Sequence, residues 1–230
     1  FRPIVPQRPG FGLTTPASAG QYLACAADDL ALLIQTLGAD DAVMLARDGG
    51  AAVALEFAAR HPNLPCRVAM LNPRTPKAHA IERTGLLAVV ARRLLGNPAI
   101  VHSVVELMRR QADRTTIERQ LRATCAMAEA DRVVLENSET VDGLVRDIQA
   151  LVSRSYQGFA DENFIYAADW SPPPVDHGRW RVLRSGALAK DEPDAPWQGL
   201  PGLVIETIPE AGFLAQFSHP KALVAALSAL

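Results

Sequence analysis

Cysteine is scarce, and its placement excludes two common ways of holding a small protein together. Cys25, Cys66 and Cys125 are odd in number and widely separated, which fits neither a disulfide framework nor a zinc site. They read as buried thiols in a reducing cytoplasm. Long apolar runs are missing too. The longest, residues 86–91 and 222–227, fall far short of the ~20 residues a membrane span requires, so no membrane partner is expected. Charge of one sign is not in excess: 23 Lys and Arg stand against 25 Asp and Glu, a net charge of -2. That balance excludes an overall field for nucleic acid or an anionic membrane. No signal pattern opens the chain, which begins at Phe1 rather than Met, so the start of the protein is expected upstream. His79, His102 and His177 have no second histidine at i+4 and no Cys/Asp cluster. Neither a metal nor a cofactor is therefore expected.

What is present is an alternation of periods. At 230 residues and 49% hydrophobic composition, the chain reads as one globular unit, with room for an inserted helical subdomain. Residues 1–6 form an extended run ending in the turn Pro9-Gly10-Phe11-Gly12, which predicts a strand and its exit. From Ser18 as N-cap, apolar residues keep helical spacing up to Gly38, a C-terminal signal. Residues 42–46 form an apolar run too short for a helix, followed by Arg47-Asp48-Gly49-Gly50 and an alanine-rich helix over 51–60. Residues 67–71 repeat the buried-strand signature, and the alternation argues for a mostly parallel sheet.

Beyond Pro73 the pattern turns helical. Helices are predicted over 81–95, 99–110, 116–130 and 140–155, then strands at 181–184 and 203–208 after the hinge Ser171-Pro172-Pro173-Pro174, and a closing helix over 220–230. The organisation read from this is a core's first part over 1–76, an all-helical cap over 77–178 and the core's last part over 179–230. The cap is divided in charge: residues 77–122 carry nine basic and four acidic side chains, residues 123–178 three and ten. That division suits either solvated helix faces or a partner surface.

Several of these segments resemble the α/β-hydrolase fold superfamily. Pro9-Gly10-Phe11-Gly12-Leu13-Thr14 is similar to the loop after the family's fourth strand. Ala46-Arg47-Asp48-Gly49-Gly50 resembles the nucleophile elbow, with the helix and strand after it, and Ile208-Pro209-Glu210-Ala211-Gly212-Phe213 with Ser218-His219-Pro220 resembles the segment that presents the histidine. The match covers both ends of the chain, about half of it. The resemblance implies an α/β-hydrolase core with flanking helices and an inserted helical cap, and places the family's first three strands, with one oxyanion-hole amide, before Phe1.

At the elbow, residues two positions to either side of the apex are expected to be small so that strand and helix can approach, and Ala46 and Gly50 meet that requirement around Asp48. The apex lies at a helix N-terminus, which favours an anion. Asp48 therefore suits a carboxylate nucleophile, as in the haloalkane dehalogenases and epoxide hydrolases of this fold, or an N-cap kept after catalysis was lost. Gly49 would supply the remaining oxyanion amide.

The partners of a working site are displaced or missing. The family commonly has Gly-His where Gly212-Phe213 stands, and phenylalanine carries no proton. His219 is the relocated candidate base. Ser185-Gly186-Ala187-Leu188-Ala189 has alanine where the family's acid falls, leaving Asp191 or Asp194. His61 reads as a helix C-cap. Phe11, Arg47, Phe213 and Trp170 are the candidate ligand-lining residues, and Trp180 and Trp197 are expected to pack the cap against the sheet.

Three functions are open at this level. One is a degenerate, non-catalytic domain that binds a small apolar or acyl-type ligand between sheet and cap. The resemblance implies a context for it, since such domains occur fused to DNA-binding modules in bacterial regulators; a module of this kind would lie outside residues 1–230, and a homodimer would suit it. The second is an active hydrolase of esters, epoxides or halocarbons using Asp48. The third is an interaction module that uses the charge-divided cap.

Overall fold

The computed structural model of the chain describes residues 2–18, 20–64, 67–74, 97–153, 157–167, 180–189 and 202–230. Four strands, β1 (Val43–Arg47), β2 (Arg67–Leu71), β3 (Trp180–Ser185) and β4 (Val204–Ile208), form one sheet in that order, each neighbouring pair parallel. Parallel neighbours need a crossover. Helix α2 (Gly50–Arg60) crosses from β1 to β2, and α1 (Tyr22–Leu37) precedes β1. Between β2 and β3 run α3 (Pro98–Arg110), α4 (Arg114–Thr124), a short 3₁₀ turn, α5 (Glu129–Val134), α6 (Ser138–Ser153) and α7 (Gln157–Ala167). The short α8 (Gly186–Ala189) follows β3, and α9 (Ala215–Ser218) and α10 (Pro220–Ser228) follow β4.

At its centre the sheet is covered on both faces, which is why β2 reads as a buried apolar run, while β1 and β4 leave Leu45 and Val204 exposed. Val68, Met70, Trp180 and Val182 pack on one face against Ala51, Ala54 and Leu55 of α2. Ala69, Leu71 and Leu183 pack on the other against Ala211, Leu223 and Ala226. The alanines of α1 and α2 let the two helices lie close, with Ala27, Ala31, Ile34 and Phe57 in one cluster. Among the described residues Trp180 packs on the α2 face, and Trp170 and Trp197 lie outside the described residues, as does the helix expected over 81–95.

Helix α1 ends as its sequence predicts. Gly38 has φ 58°, and its amide donates to Gln35 O. Gly38→Ala should therefore lower stability by about 1 kcal/mol, roughly 2–4 °C in a chain of this size, as read by thermal denaturation.

Four local expectations are revised. Among residues 2–7 there is no strand: Ile4 and Val5 are exposed, and Pro3 and Pro6 lack the amide a ladder needs. Helix α1 starts at Tyr22 because Ser18 is spent in a preceding turn, accepting Gln21 N on its carbonyl and placing its hydroxyl 2.9 Å from Gln21 Oε1. The single helix expected over 116–130 is two, α4 capped by Asp113 Oδ1 on Thr116 N and α5 begun after the extended Ala128. Helix α7 was not expected at all. Its apolar residues form no one-sided stripe, so the periodicity that revealed the other helices is missing. Among the described residues no helix is long and apolar enough to cross a membrane.

Candidate functional site

The tip of β1 delivers the site's first group. Asp48 has φ 49°, a left-handed backbone uncommon outside glycine, which aspartate adopts more readily than most residues and which its neighbours constrain here. The constraint is visible on both sides: Asp48 N donates to Leu71 O at 3.2 Å, and Asp48 O accepts Ala51 N at 3.2 Å in the first turn of α2. Asp48 Oδ1 pairs with Arg74 Nε at 3.0 Å, both side chains partly exposed.

Crowding at the elbow falls one residue away from where the spacing rule put it. A Cβ on Gly50 would meet Ala46 Cβ at 3.9 Å, ordinary contact, whereas a Cβ on Gly49 would coincide with Glu162 Oε1. Glu162 comes from α7 and is 8% exposed. Its other oxygen, Oε2, pairs with Arg8 Nη2 at 3.1 Å, and the Arg8 guanidinium stands 4.8 Å over the Phe11 ring. Burial pushes the Glu162 carboxyl above the usual carboxylate range, against the pull of Arg8. The glycine expected to carry an oxyanion amide is thus covered by a carboxylate.

Phe11 is buried with Tyr22, Ala26 and Val53, and Leu151, Phe159 and Ile165 pack against that cluster. The approach is close because Gly10 and Gly158 face each other: a Cβ on Gly10 would lie 2.5 Å from Gly158 N, which donates to Gly10 O at 3.1 Å. Tyr22 is 2% exposed, its hydroxyl has no hydrogen-bond partner, and burial pushes its phenol well above the ordinary value.

In the loop after β4, Phe213 and Arg47 are locked together. The Arg47 guanidinium stacks 4.5 Å over the Phe213 ring, and Nη2 donates to Phe213 O at 2.9 Å. Burial draws Arg47 below its ordinary value, opposed by Asp48, Cys125 and Asp131. Cys125 is buried, and its thiol is pushed up to about 11, chiefly by burial and then by Asp131, so it is no thiolate at neutral pH.

Asp131 is a group the sequence did not single out. It is 1% exposed on α5, accepting Phe213 N at 2.6 Å and Leu214 N at 3.0 Å. A Cβ on Gly212 would strike Asp131 and Ala128, so this glycine is where α5 touches the loop.

The remaining candidates have other partners. Nδ1 of His219 lies 2.8 Å from Ser218 Oγ, and His219 precedes α10, whose first residue is Pro220. His61 is the C-cap of α2, its Nε2 2.8 Å from Asp28 Oδ1. Ser185, which opens the stretch where an acid is expected, is fully buried, its amide donating to Asn72 Oδ1 and its hydroxyl accepting Asn72 Nδ2. Asp191 and Asp194 lie outside the described residues. Among the described residues no three His, Cys, Asp or Glu gather as metal ligands. A groove of about 410 Å³ between α4 and α6, lined by Arg114, Asp142, Arg146 and Gln149 among others, shares no residue with the elbow.

No family model and no curated protein matches the sequence. Solved structures do match. The chain is similar to an F128A mutant of an epoxide hydrolase from Bacillus megaterium, solved with its diol product, with a TM-score of 0.66 at 15% identity, covering 96% of this chain and 80% of that one. It is similar to a thermophilic esterase from Thermogutta terrifontis, TM-score 0.61 at 20% identity, over 96% and 75% of the two chains. A hydrolase from Pseudomonas aeruginosa PA01 gives 0.61 at 15%, over 96% and 76%. At such identities the likeness concerns the fold: the chain has the α/β-hydrolase fold, a parallel sheet with flanking helices.

Proposed function

We propose that this α/β-hydrolase-fold domain binds a small acyl-type or apolar molecule between the sheet and its inserted helices and does not turn it over. The observation that carries this reading is the Arg47–Phe213 pair: the position that should take a proton holds a ring stacked under a guanidinium that is already bonded to the loop carbonyl. A carboxylate nucleophile without a base would stop at its ester intermediate. Arg74 on Asp48 and Glu162 beside Gly49 support the same conclusion, since one pairs with the apex and the other fills the space next to it. In this proposal the domain acts as a cytoplasmic ligand sensor within a larger bacterial regulator, with its DNA-binding module outside residues 1–230.

A second reading, an active hydrolase with Asp48 as nucleophile and His219 as base, is favoured by one observation: the left-handed backbone at Asp48 is retained. Ester, epoxide and halocarbon panels separate the two. The intact chain is expected to show no turnover above that of Asp48→Asn, and to melt at higher temperature with ligands of the right shape. Turnover abolished by Asp48→Asn would reverse the assignment.

A further inference from the structure

The inserted helices carry their charges in two blocks on one face. Along α4, Arg114, Thr115, Glu118, Arg119 and Arg122 line an open groove of about 360 Å³, and their spacing sets them on one side of the helix. Along α6, Ser138, Glu139, Asp142, Arg146 and Gln149 line the neighbouring groove. Arg114 borders both, so the two grooves form one continuous surface. On its α4 side three arginines stand against one glutamate; on its α6 side two carboxylates stand against one arginine.

Part of this charge is matched within the chain. Arg114 pairs with Asp142 across the two helices, and Arg122 pairs with Glu118 at 2.9 Å within α4. Arg146 donates from Nε to the Asp142 carbonyl at 3.2 Å. Arg119 and Glu139 differ from these. Both are exposed, and among the described residues neither side chain has an ion pair or a hydrogen bond. One cation and one anion are thus left over, one in each block of the same face.

We propose that this face is where two copies of the chain meet, related by a two-fold axis, with Arg119 of each copy against Glu139 of the other. A two-fold interface presents the same patch from both partners, so that residue i meets j and j meets i. A face whose two blocks differ in sign is complementary to its own rotated image, which matches both leftover charges at once. A uniformly acidic partner would suit Arg119 and Arg122 but confront Glu139 and Asp142; a uniformly basic one would meet the reverse conflict. The one apolar residue lining the grooves, Val145, is buried, so the contact has no exposed apolar anchor and rests on charge. The association is therefore weak and sensitive to salt. It does not depend on the ligand-binding reading above.

Sedimentation equilibrium of the intact chain tests this. At about 50 mM salt the chain should form dimers and no larger species, with the dissociation constant rising about tenfold by about 300 mM. Arg119→Glu and Glu139→Arg should each weaken the dimer about tenfold or more, since either substitution sets like charges against each other in both halves of the interface. Mixed in equal amounts, the two variants should pair with each other. One then carries acids at both positions and the other arginines at both, so every contact across the axis joins opposite charges. A misfolded variant could not pass that last step. A parent chain that stays monomeric at about 100 μM in low salt, dimers that ignore salt or persist in either variant, or variants that fail to pair with each other would each overturn the assignment.

Discussion

Gly49→Ala should destabilise the domain by about 3 kcal/mol, roughly 6–12 °C in melting temperature. Its backbone is ordinary, φ -62° and ψ -22°, so no conformational privilege of glycine is at stake. Space is. The new methyl would coincide with Glu162 Oε1, and Glu162 Cγ is only 3.1 Å away, so the whole side chain must leave. Leaving breaks the pair with Arg8, whose side chain is 28% exposed against 11% for Glu162, and separating a largely buried pair is strongly destabilising. The same substitution made in Glu162→Ala should cost less than 1 kcal/mol, because nothing then occupies the methyl's place. The double-mutant cycle isolates that coupling. Equal costs in both backgrounds would show that Glu162 does not sit on Gly49 in solution.

The second large effect is expected at Asp131. Replacement by alanine leaves the amides of Phe213 and Leu214 buried without acceptors, each worth about 1–3 kcal/mol. Part of that is returned, since the buried carboxyl is itself costly, as its upward shift by burial indicates. A net loss of about 3 kcal/mol is expected, with Asp131→Asn, which keeps one acceptor oxygen, near half of it. Titration separates the two causes. A carboxyl whose folded value is raised contributes stability that is complete below the unfolded value, near 3.9, and lost as pH rises through the folded value. The advantage of the parent chain over Asp131→Asn should therefore shrink as pH rises above about 4 in urea unfolding. An advantage that grows over that range would mean that the two amides, not burial, set the carboxyl's affinity for protons. Loosening this loop should also free Phe213 from Arg47, since the carbonyl that Arg47 holds belongs to the same residue.

Much of the frame was legible because it rests on short-range rules. The apolar runs at β1 and β2 announced strands, Gly38 announced the end of α1, His61 the end of α2, and Arg47-Asp48-Gly49-Gly50 the turn in which Asp48 takes its left-handed backbone. Phe213 could be placed in the loop before the closing helices because loop and helix follow β4 in the expected order. Arg47 was singled out as a candidate ligand-lining residue, while its stacking on Phe213 depends on a contact 166 residues along the chain.

Helix α7 was invisible. Gln157–Ala167 sets its apolar residues on no single face, and a helix packed among other elements needs none. With α7 unseen, Glu162 read as one acidic residue in an acidic stretch, Gly158 as filler and Arg8 as a terminal cation. Asp131 was hidden similarly, inside a helix expected to run unbroken through it. The sequence by itself determined the order of the four strands and the elbow at Asp48, and it pointed to Phe213 as the residue standing where the resemblance implies histidine. Only the tertiary structure decided that Glu162 covers Gly49, that Arg8 holds it there and that Asp131 ties α5 to the loop of Phe213. The physical reason is that a charged side chain carries no period: its partner is chosen by which elements pack together, 154 residues apart for Arg8 and Glu162 and 82 for Asp131 and Phe213.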